Sequence, residues 1–179
     1  MNDPKLIPGI NTLEAFVVKK VIYDPCGFVM KHILPEEESP EYSAYRYELN
    51  GLNICFRLAK ITPTKTGQFV TLWKRINKGP IMPLDASDEI NFVVISTRKN
   101  NNYGQFVFPK AVLIKQGIFT DAKEGKRAIR VYPPWDITES TQAKKTQKWQ
   151  LEYFLEVPID KPLDIERVKM LYQFKTNVV

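Results

Sequence analysis

Residues 52–75 read LNICFRLAKITPTKTGQFVTLWKR and set the expected fold of the chain. The Asn50-Gly51 pair just before them is the strongest hairpin signal present, because both residues tolerate the positive φ angles of a tight two-residue turn. Residues 45–49 alternate in polarity before this turn. After it, one face of the next strand is apolar, formed by Ile54, Phe56 and Leu58. Together these features predict a β-hairpin.

A second turn is indicated at residues 62–67, where threonines surround a Pro and a Gly. Residues 69–75 are then predicted to return as a third strand, which gives a three-stranded antiparallel meander. Further elements are predicted around it: a helix beginning near residue 13, strands at 90–95, 105–108 and 128–132, and a helix from about 141 to 157. This order predicts one α+β domain spanning residues 1–179, with a mostly antiparallel central sheet flanked by helices.

The composition indicates a globular protein with acidic partners. The 179 residues are 44% hydrophobic, the net charge is +6 and the pI is about 9.2. Cys26 and Cys55 are too few for a disulfide framework, which favours a reducing compartment. No secretory signal is recognisable, and no apolar run approaches the roughly 20 residues of a membrane span. We therefore expect a cytoplasmic monomer that does not cross a membrane.

The basic residues are concentrated in one acid-free block. Between Leu49 and Leu84 there are six cations and no acid: Arg57, Lys60, Lys65, Lys74, Arg75 and Lys78. Phe56, Phe69 and Trp73 lie among them. Cations interleaved with aromatic rings on strands suit a ligand with phosphates and flat bases, so the block predicts a nucleic-acid partner. The alternative is a half-buried hairpin with a solvated basic face, in which Trp73 packs in the core.

A second group of cations and aromatics occurs at Arg127, Arg130, Tyr132 and Trp135. Arg130 and Tyr132 share a strand face, so Arg130 could complete a phosphate site with the meander, or form a buried ion pair with Asp136. The candidate nucleic-acid contacts are therefore Arg57, Lys60, Lys65, Trp73, Lys74, Arg75, Arg127 and Arg130. Lysines and arginines of this kind position phosphates rather than read bases.

Three segments resemble one known family. FRLAKITPTKTGQFVTLWKR, RAIRVYPPWD and WQLEYFLE are similar to stretches of the MepB-like family, small bacterial proteins named for a gene beside a multidrug efflux pump. The resemblance implies a core similar to restriction-type endonucleases and a link to nucleic-acid binding, and DNA is favoured over RNA as the partner. It implies no settled enzymatic activity.

A nuclease of that type would need a carboxylate-x-lysine triplet that holds Mg²⁺ or Mn²⁺ near the scissile phosphate. Here Leu58 and Leu72 stand two residues before Lys60 and Lys74, where the carboxylate should be. A rearranged site could use Glu48 and Asp88 as metal ligands with Lys60 beside them; the structural alternative is that Glu48 forms an ion pair with Arg57 or Lys60.

Nucleic-acid binding without a required cofactor is the favoured function. A metal-dependent nuclease or phosphodiesterase is the first alternative, and a module for an acidic protein partner is the second. A single histidine, His32, and the absence of a P-loop or GxGxxG sequence argue against His-based triads, His-rich zinc sites and standard nucleotide-binding domains.

Overall fold

The computed structural model describes residues 12–174. Its helices are α1 Thr12–Val18, α2 Lys110–Lys115, α3 Thr141–Leu151 and α4 Ile165–Leu171, and α1 continues as a π-helical turn through Lys19–Tyr23. Its strands are β1 Met30–Pro35, β2 Tyr45–Leu49, β3 Leu52–Leu58, β4 Lys60–Thr62, β5 Lys65–Thr71, β6 Trp73–Lys74, β7 Met82–Pro83, β8 Phe92–Lys99, β9 Asn102–Pro109, β10 Ala128–Val131 and β11 Phe154–Glu156. Among these described helices, none has the length and apolar character needed to cross a bilayer.

The central sheet has six strands in the order β1-β2-β3-β8-β9-β11. All its neighbours are antiparallel except β3 and β8, so the sheet is mixed and mostly antiparallel. The predicted hairpin between β2 and β3 is present. Asn50 and Gly51 have φ angles of 47° and 84°, as a type I′ turn requires. The α+β class with a helix-flanked, mostly antiparallel sheet is confirmed.

The prediction that residues 69–75 pair with β3 as the third strand of a meander was wrong. A three-stranded antiparallel meander does exist, but it consists of β1, β2 and β3. The free edge of β3 is taken by β8, a strand whose apolar residues are buried on both faces, as is typical of parallel pairing. β5 lies instead in a separate three-stranded sheet of order β10-β5-β4.

The core lies on both sides of the six-stranded sheet. One face of β3 packs Ile54 and Phe56 against α1 and α4, through residues such as Val18 and Val168. The opposite face packs Cys55 and neighbouring strands against the smaller sheet and α2. Side-chain alternation along β3 therefore separates two apolar clusters, and it also directs Arg57 toward the smaller sheet.

The predicted C-terminal helix is shorter than its sequence pattern suggested. α3 begins after Ser140, whose Oγ accepts the Ala143 N–H at 3.1 Å, and it ends at Leu151. Residues 154–156 form β11, which pairs with β9. Gly104 permits this pairing, because a Cβ there would lie 2.2 Å from the ring of Phe154. The residues predicted as the end of this helix therefore form an edge strand of the sheet.

Candidate nucleic-acid interface

The β4–β5 hairpin carries two exposed lysines. Lys60 lies at its base opposite Phe69, and Lys65 lies at its tip opposite Thr62. The Lys60 Nζ is 4.8 Å from the centroid of the Tyr42 ring, a cation–π contact that leaves the charge at the surface. Within residues 12–174 neither lysine forms an ion pair. Both charges are therefore available to an anionic ligand.

Arg130 on β10 fixes the conformation of this hairpin. Its Nη2 donates to Thr62 Oγ1 at 2.7 Å, and its Nη1 donates to the carbonyls of Thr66 and Gly67 at 3.4 and 3.3 Å. The guanidinium also lies 5.8 Å from the centroid of the Phe69 ring. These contacts do not neutralise the guanidinium, because all three hydrogen-bond acceptors are uncharged oxygen atoms. Arg130 therefore orders the hairpin and keeps its positive charge.

Arg130 does not form the ion pair with Asp136 that its sequence allowed. Asp136 is buried and accepts a hydrogen bond from Lys99 Nζ at 2.8 Å. Lys99 lies at the end of β8, close to the hairpin, and was not among the residues predicted for the site.

Arg57 is completely buried, so its side chain has no exposed atoms with which to contact a ligand. Its Nη1 pairs with Glu36 Oε2 and donates to the Phe56 carbonyl at 2.9 Å, while its Nε donates to the Thr71 carbonyl at 3.3 Å. Glu36 also accepts from Arg46 Nε at 2.6 Å. The acidic loop before β2 therefore neutralises arginines that lie near the smaller sheet.

Arg75 and Arg127 are exposed, and each has an acidic neighbour. Arg75 Nε is 3.5 Å from Glu38, and its guanidinium is 5.3 Å from the half-buried Trp73 ring. Arg127 Nη2 is 2.7 Å from Glu124. Exposed pairs of this kind are weak and salt-sensitive, so both arginines can exchange partners. Trp73 lies beneath Arg75, which leaves less of its ring open to a base.

Lys74 is held between two carboxylates. Its Nζ donates to Asp85 at 2.6 Å and to both oxygens of Asp88 at 2.8 Å. Burial alone would lower the pKa of Lys74, but the hydrogen bonds to the two aspartates outweigh it and raise the pKa. The hydrogen bond from Lys74, helped by Ser87, lowers the pKa of Asp85 to about 2. Lys74 is therefore protonated, and its positive charge is already balanced by Asp85 and Asp88.

Of the two acids predicted for a rearranged metal site, Asp88 already has other hydrogen-bond partners. Asp88 accepts from Lys74 and from the Asp85 amide at 2.8 Å. Glu48 lies on β2 opposite Asn53, and within residues 12–174 it forms no ion pair with Arg57 or Lys60. The described residues contain no cluster of three or more His, Cys, Asp or Glu side chains that could hold a metal ion.

The Lys74–Asp85 pair predicts a specific acid response. Because the folded-state pKa of Asp85 lies below its ordinary value, its contribution to stability is full above pH 4 and is lost as the pH falls toward 2. A shift of this size corresponds to at most about 2 kcal/mol, since Asp85 is partly exposed. In urea unfolding, Asp85→Asn should be less stable than wild type at pH 6, and the difference should shrink between pH 4 and pH 2. A difference that is constant with pH would contradict this assignment.

Sequence reasoning missed three exposed lysines on α3. Lys144, Lys145 and Lys148 lie on the solvent face of this helix, and within the described part of the chain none has an acidic partner. The helix is anchored by Gln150, which donates to the Arg130 carbonyl and accepts from the Tyr132 N–H, both at 2.9 Å. The available signal was the absence of any acid between Glu139 and Glu152.

Two open cavities lie on either side of Trp135. The smaller, about 480 Å³, lies between the tip of the β4–β5 hairpin and residues 135–137. The larger, about 1200 Å³, is lined by residues 154–162 and adjacent segments. Three acids and two cations line the larger cavity: Glu156, Asp160, Asp164, Lys161 and Arg167. Its charge does not suit phosphate, whereas the smaller cavity is lined by the unpaired Lys65 and by Lys99 with its partner Asp136.

Comparison with known proteins shows which family the chain is similar to. Residues 36–156, from the partner of Arg57 to the end of β11, match the family described as MepB-like. The chain belongs to the MepB-like family. The resemblance inferred from its three sequence segments is therefore confirmed. No functionally curated protein matches the chain.

The MepB-like chain is also similar to a solved structure described as the crystal structure of MepB. The two are 31% identical, with a TM-score of 0.72, and the match covers 83% of this chain and 97% of the other. The family match includes the β4–β5 hairpin, β10 and α3, so it contains the cations that have no acidic partner on these elements: Lys60, Lys65, Arg130, Lys144, Lys145 and Lys148. It excludes α1, β1 and α4.

Proposed function

We propose that this MepB-like protein binds nucleic acid through a basic surface formed by Lys60 and Lys65 on the hairpin, Arg130 on β10, and three lysines of α3. The observation that carries the proposal is that none of these six cations is neutralised by an acid within residues 12–174, whereas Arg57, Lys74 and Arg75 of the same sequence block are each paired with one. Unpaired cations grouped on adjoining elements are the electrostatic footprint expected for a phosphate backbone.

The proposed surface favours contacts with phosphates over base readout. Five of its six cations are lysines, which act as point charges on flexible stems and carry no base information. Fewer residues of the block from Arg57 to Lys78 therefore contact phosphate than its charge suggested, and the lysines of α3 supply the other contacts. Binding of this kind is strong at low salt and nearly independent of sequence. DNA is the favoured partner.

The dependence of binding on salt tests the proposal. With about three to five phosphates neutralised, log K should fall with log salt at a slope of about −2.7 to −4.5 for a duplex. The measurement is fluorescence anisotropy with labelled DNA and RNA of unrelated sequences, titrated over a range of KCl concentrations. A flat response to salt, or no binding at low salt, would refute nucleic-acid binding.

The same titrations separate the alternative functions. Including Mg²⁺ or Mn²⁺ and running the products on a gel tests the nuclease. Little or no cleavage is expected, because the Lys74 ammonium occupies the position between Asp85 and Asp88 that a metal ion would need. Cleavage that disappears in Asp88→Asn would favour the enzyme. If an acidic polypeptide binds but nucleic acids do not, the protein is an interaction module.

A further inference from the structure

The smaller cavity has the size and lining of a site for one nucleotide. Its volume of about 480 Å³ falls within the range of pockets that hold drug-sized ligands. One wall is the tip of the β4–β5 hairpin, with the hydroxyls of Thr62, Thr64 and Thr66, and the other is the segment that contains Trp135. Lys65, Lys99 and Asp136 also line it, and Asp136 neutralises Lys99 through a hydrogen bond of 2.8 Å. The unpaired Lys65, the threonine hydroxyls and an indole ring therefore converge on one space.

The hairpin wall is held in place before any ligand arrives. Arg130 ties Thr62, Thr66 and Gly67 together through three hydrogen bonds of 2.7 to 3.4 Å. Gly67 has a φ of 82°, and a Cβ there would lie 2.7 Å from the Tyr132 ring, so this glycine allows the strand to approach β10 closely. A wall fixed in this way loses little freedom on binding, which favours affinity.

Trp135 supplies the aromatic surface. It is half-buried, it lines both cavities, and it packs edge-to-face on Phe154 with ring centroids 5.7 Å apart. Its indole N–H is buried and has no hydrogen-bond partner among the described residues. Because this atom has no accessible surface, it is the ring of Trp135, and not its N–H, that the residue offers to the cavity.

We propose that this cavity, the Trp135 pocket, holds one unstacked nucleotide of a single-stranded nucleic acid. The base lies against the Trp135 ring, and the phosphate is bound by Lys65 and the neighbouring threonine hydroxyls. The lysines of α3 then follow the flanking backbone, since α3 is anchored on the same segment through Gln147, which donates to the Asp136 carbonyl at 2.9 Å. This inference rests on the proposed nucleic-acid binding and specifies its substrate as single-stranded.

The decisive comparison is between a single strand and a duplex. The probes are an oligothymidylate of about 12 nucleotides, which is within the range that one such surface covers, and a duplex of the same length. Trp135→Leu should weaken single-strand binding about 5- to 100-fold, the usual effect of losing one base–aromatic stack, and change duplex binding less than about threefold. Lys144→Gln, outside the pocket, should weaken both equally and serves as the matched control.

Tryptophan fluorescence provides a second measurement, which tests the pocket even if Trp135→Leu does not fold. Stacking of a base on Trp135 should quench tryptophan emission during titration with oligothymidylate. Trp135→Phe preserves the aromatic ring and the packing on Phe154, so it should keep most of the affinity and lose the quench, whereas Trp73→Phe should retain the quench.

Equal weakening of single-strand and duplex binding by Trp135→Leu, or a quench that survives Trp135→Phe, would overturn the pocket and leave the proposed function intact. Failure of the wild type to bind either probe at low salt would overturn both.

Discussion

Replacing Arg57 with alanine is expected to lower the free energy of unfolding by about 3–5 kcal/mol, the usual effect of removing one partner from a buried ion pair. The Arg57 side chain is fully buried, and its loss leaves Glu36 with Arg46 as its only cationic partner among the described residues. It also leaves the carbonyls of Phe56 and Thr71 without their donor. Urea unfolding followed by circular dichroism measures the change.

Arg75→Ala is the matched control, because Arg75 comes from the same basic block but is exposed and pairs only loosely with Glu38. Its loss should change the free energy of unfolding by less than about 1 kcal/mol. The double variant Arg57→Met with Glu36→Leu should be more stable than Arg57→Ala, since it removes both charges of the pair and leaves without its acid only Arg46, which is partly exposed. If Arg57→Ala is no more destabilising than Arg75→Ala, the buried pair does not have the importance assigned to it.

Replacing the five lysines of the proposed surface with glutamine is expected to lower nucleic-acid affinity by about two orders of magnitude at low salt and to flatten the salt dependence toward zero. The changed residues are Lys60, Lys65, Lys144, Lys145 and Lys148. Each contributes little to folding because its charge is exposed and has no acidic partner in the described chain, so the variant should unfold near the wild-type midpoint. The measurement is anisotropy with labelled DNA at several KCl concentrations.

A charge-matched control distinguishes a local surface from a general effect of net charge. It replaces five other lysines with glutamine: Lys20, Lys31, Lys115, Lys161 and Lys169. These lie on α1's continuation, β1, α2, and the region around α4. The control should lose less than about tenfold in affinity. Equal losses in the two variants would mean that the protein attracts nucleic acid through its overall charge, and that no particular surface is used.

Much of the fold was predictable because the signals were local. Asn50-Gly51 specified a turn with two positive φ angles, and the alternation around Ile54 and Phe56 specified which face of β3 would be apolar. The pairing of β5 was not predictable in this way. Strand patterns give faces and not partners, and the edge of β3 was open to either β5 or β8 until the packing of β8 on both faces decided it.

The candidate site was likewise predictable in its local features and unpredictable in its contacts between distant segments. The sequence by itself determined that positive charges and aromatic rings alternate over residues 52–75, that the chain is MepB-like, and that an acid-x-lysine triplet is missing. It could not determine which of those cations are free. Side-chain alternation is a local rule with a period of two residues, whereas an ion pair depends on which distant loop folds over the strand.

Only the tertiary structure decided the charge partners. The acidic loop before β2 brings Glu36 onto Arg57, and the segment after β7 brings Asp85 and Asp88 onto Lys74. Lys60 lies over the Tyr42 ring and Lys65 lies at the hairpin tip, and neither has an acidic partner in the described part of the chain. α3 adds lysines whose place beside β10 is set by the hydrogen bonds of Gln150. Coulomb attraction in a partly buried site selects such partners by proximity in space, which the order of residues along the chain does not record.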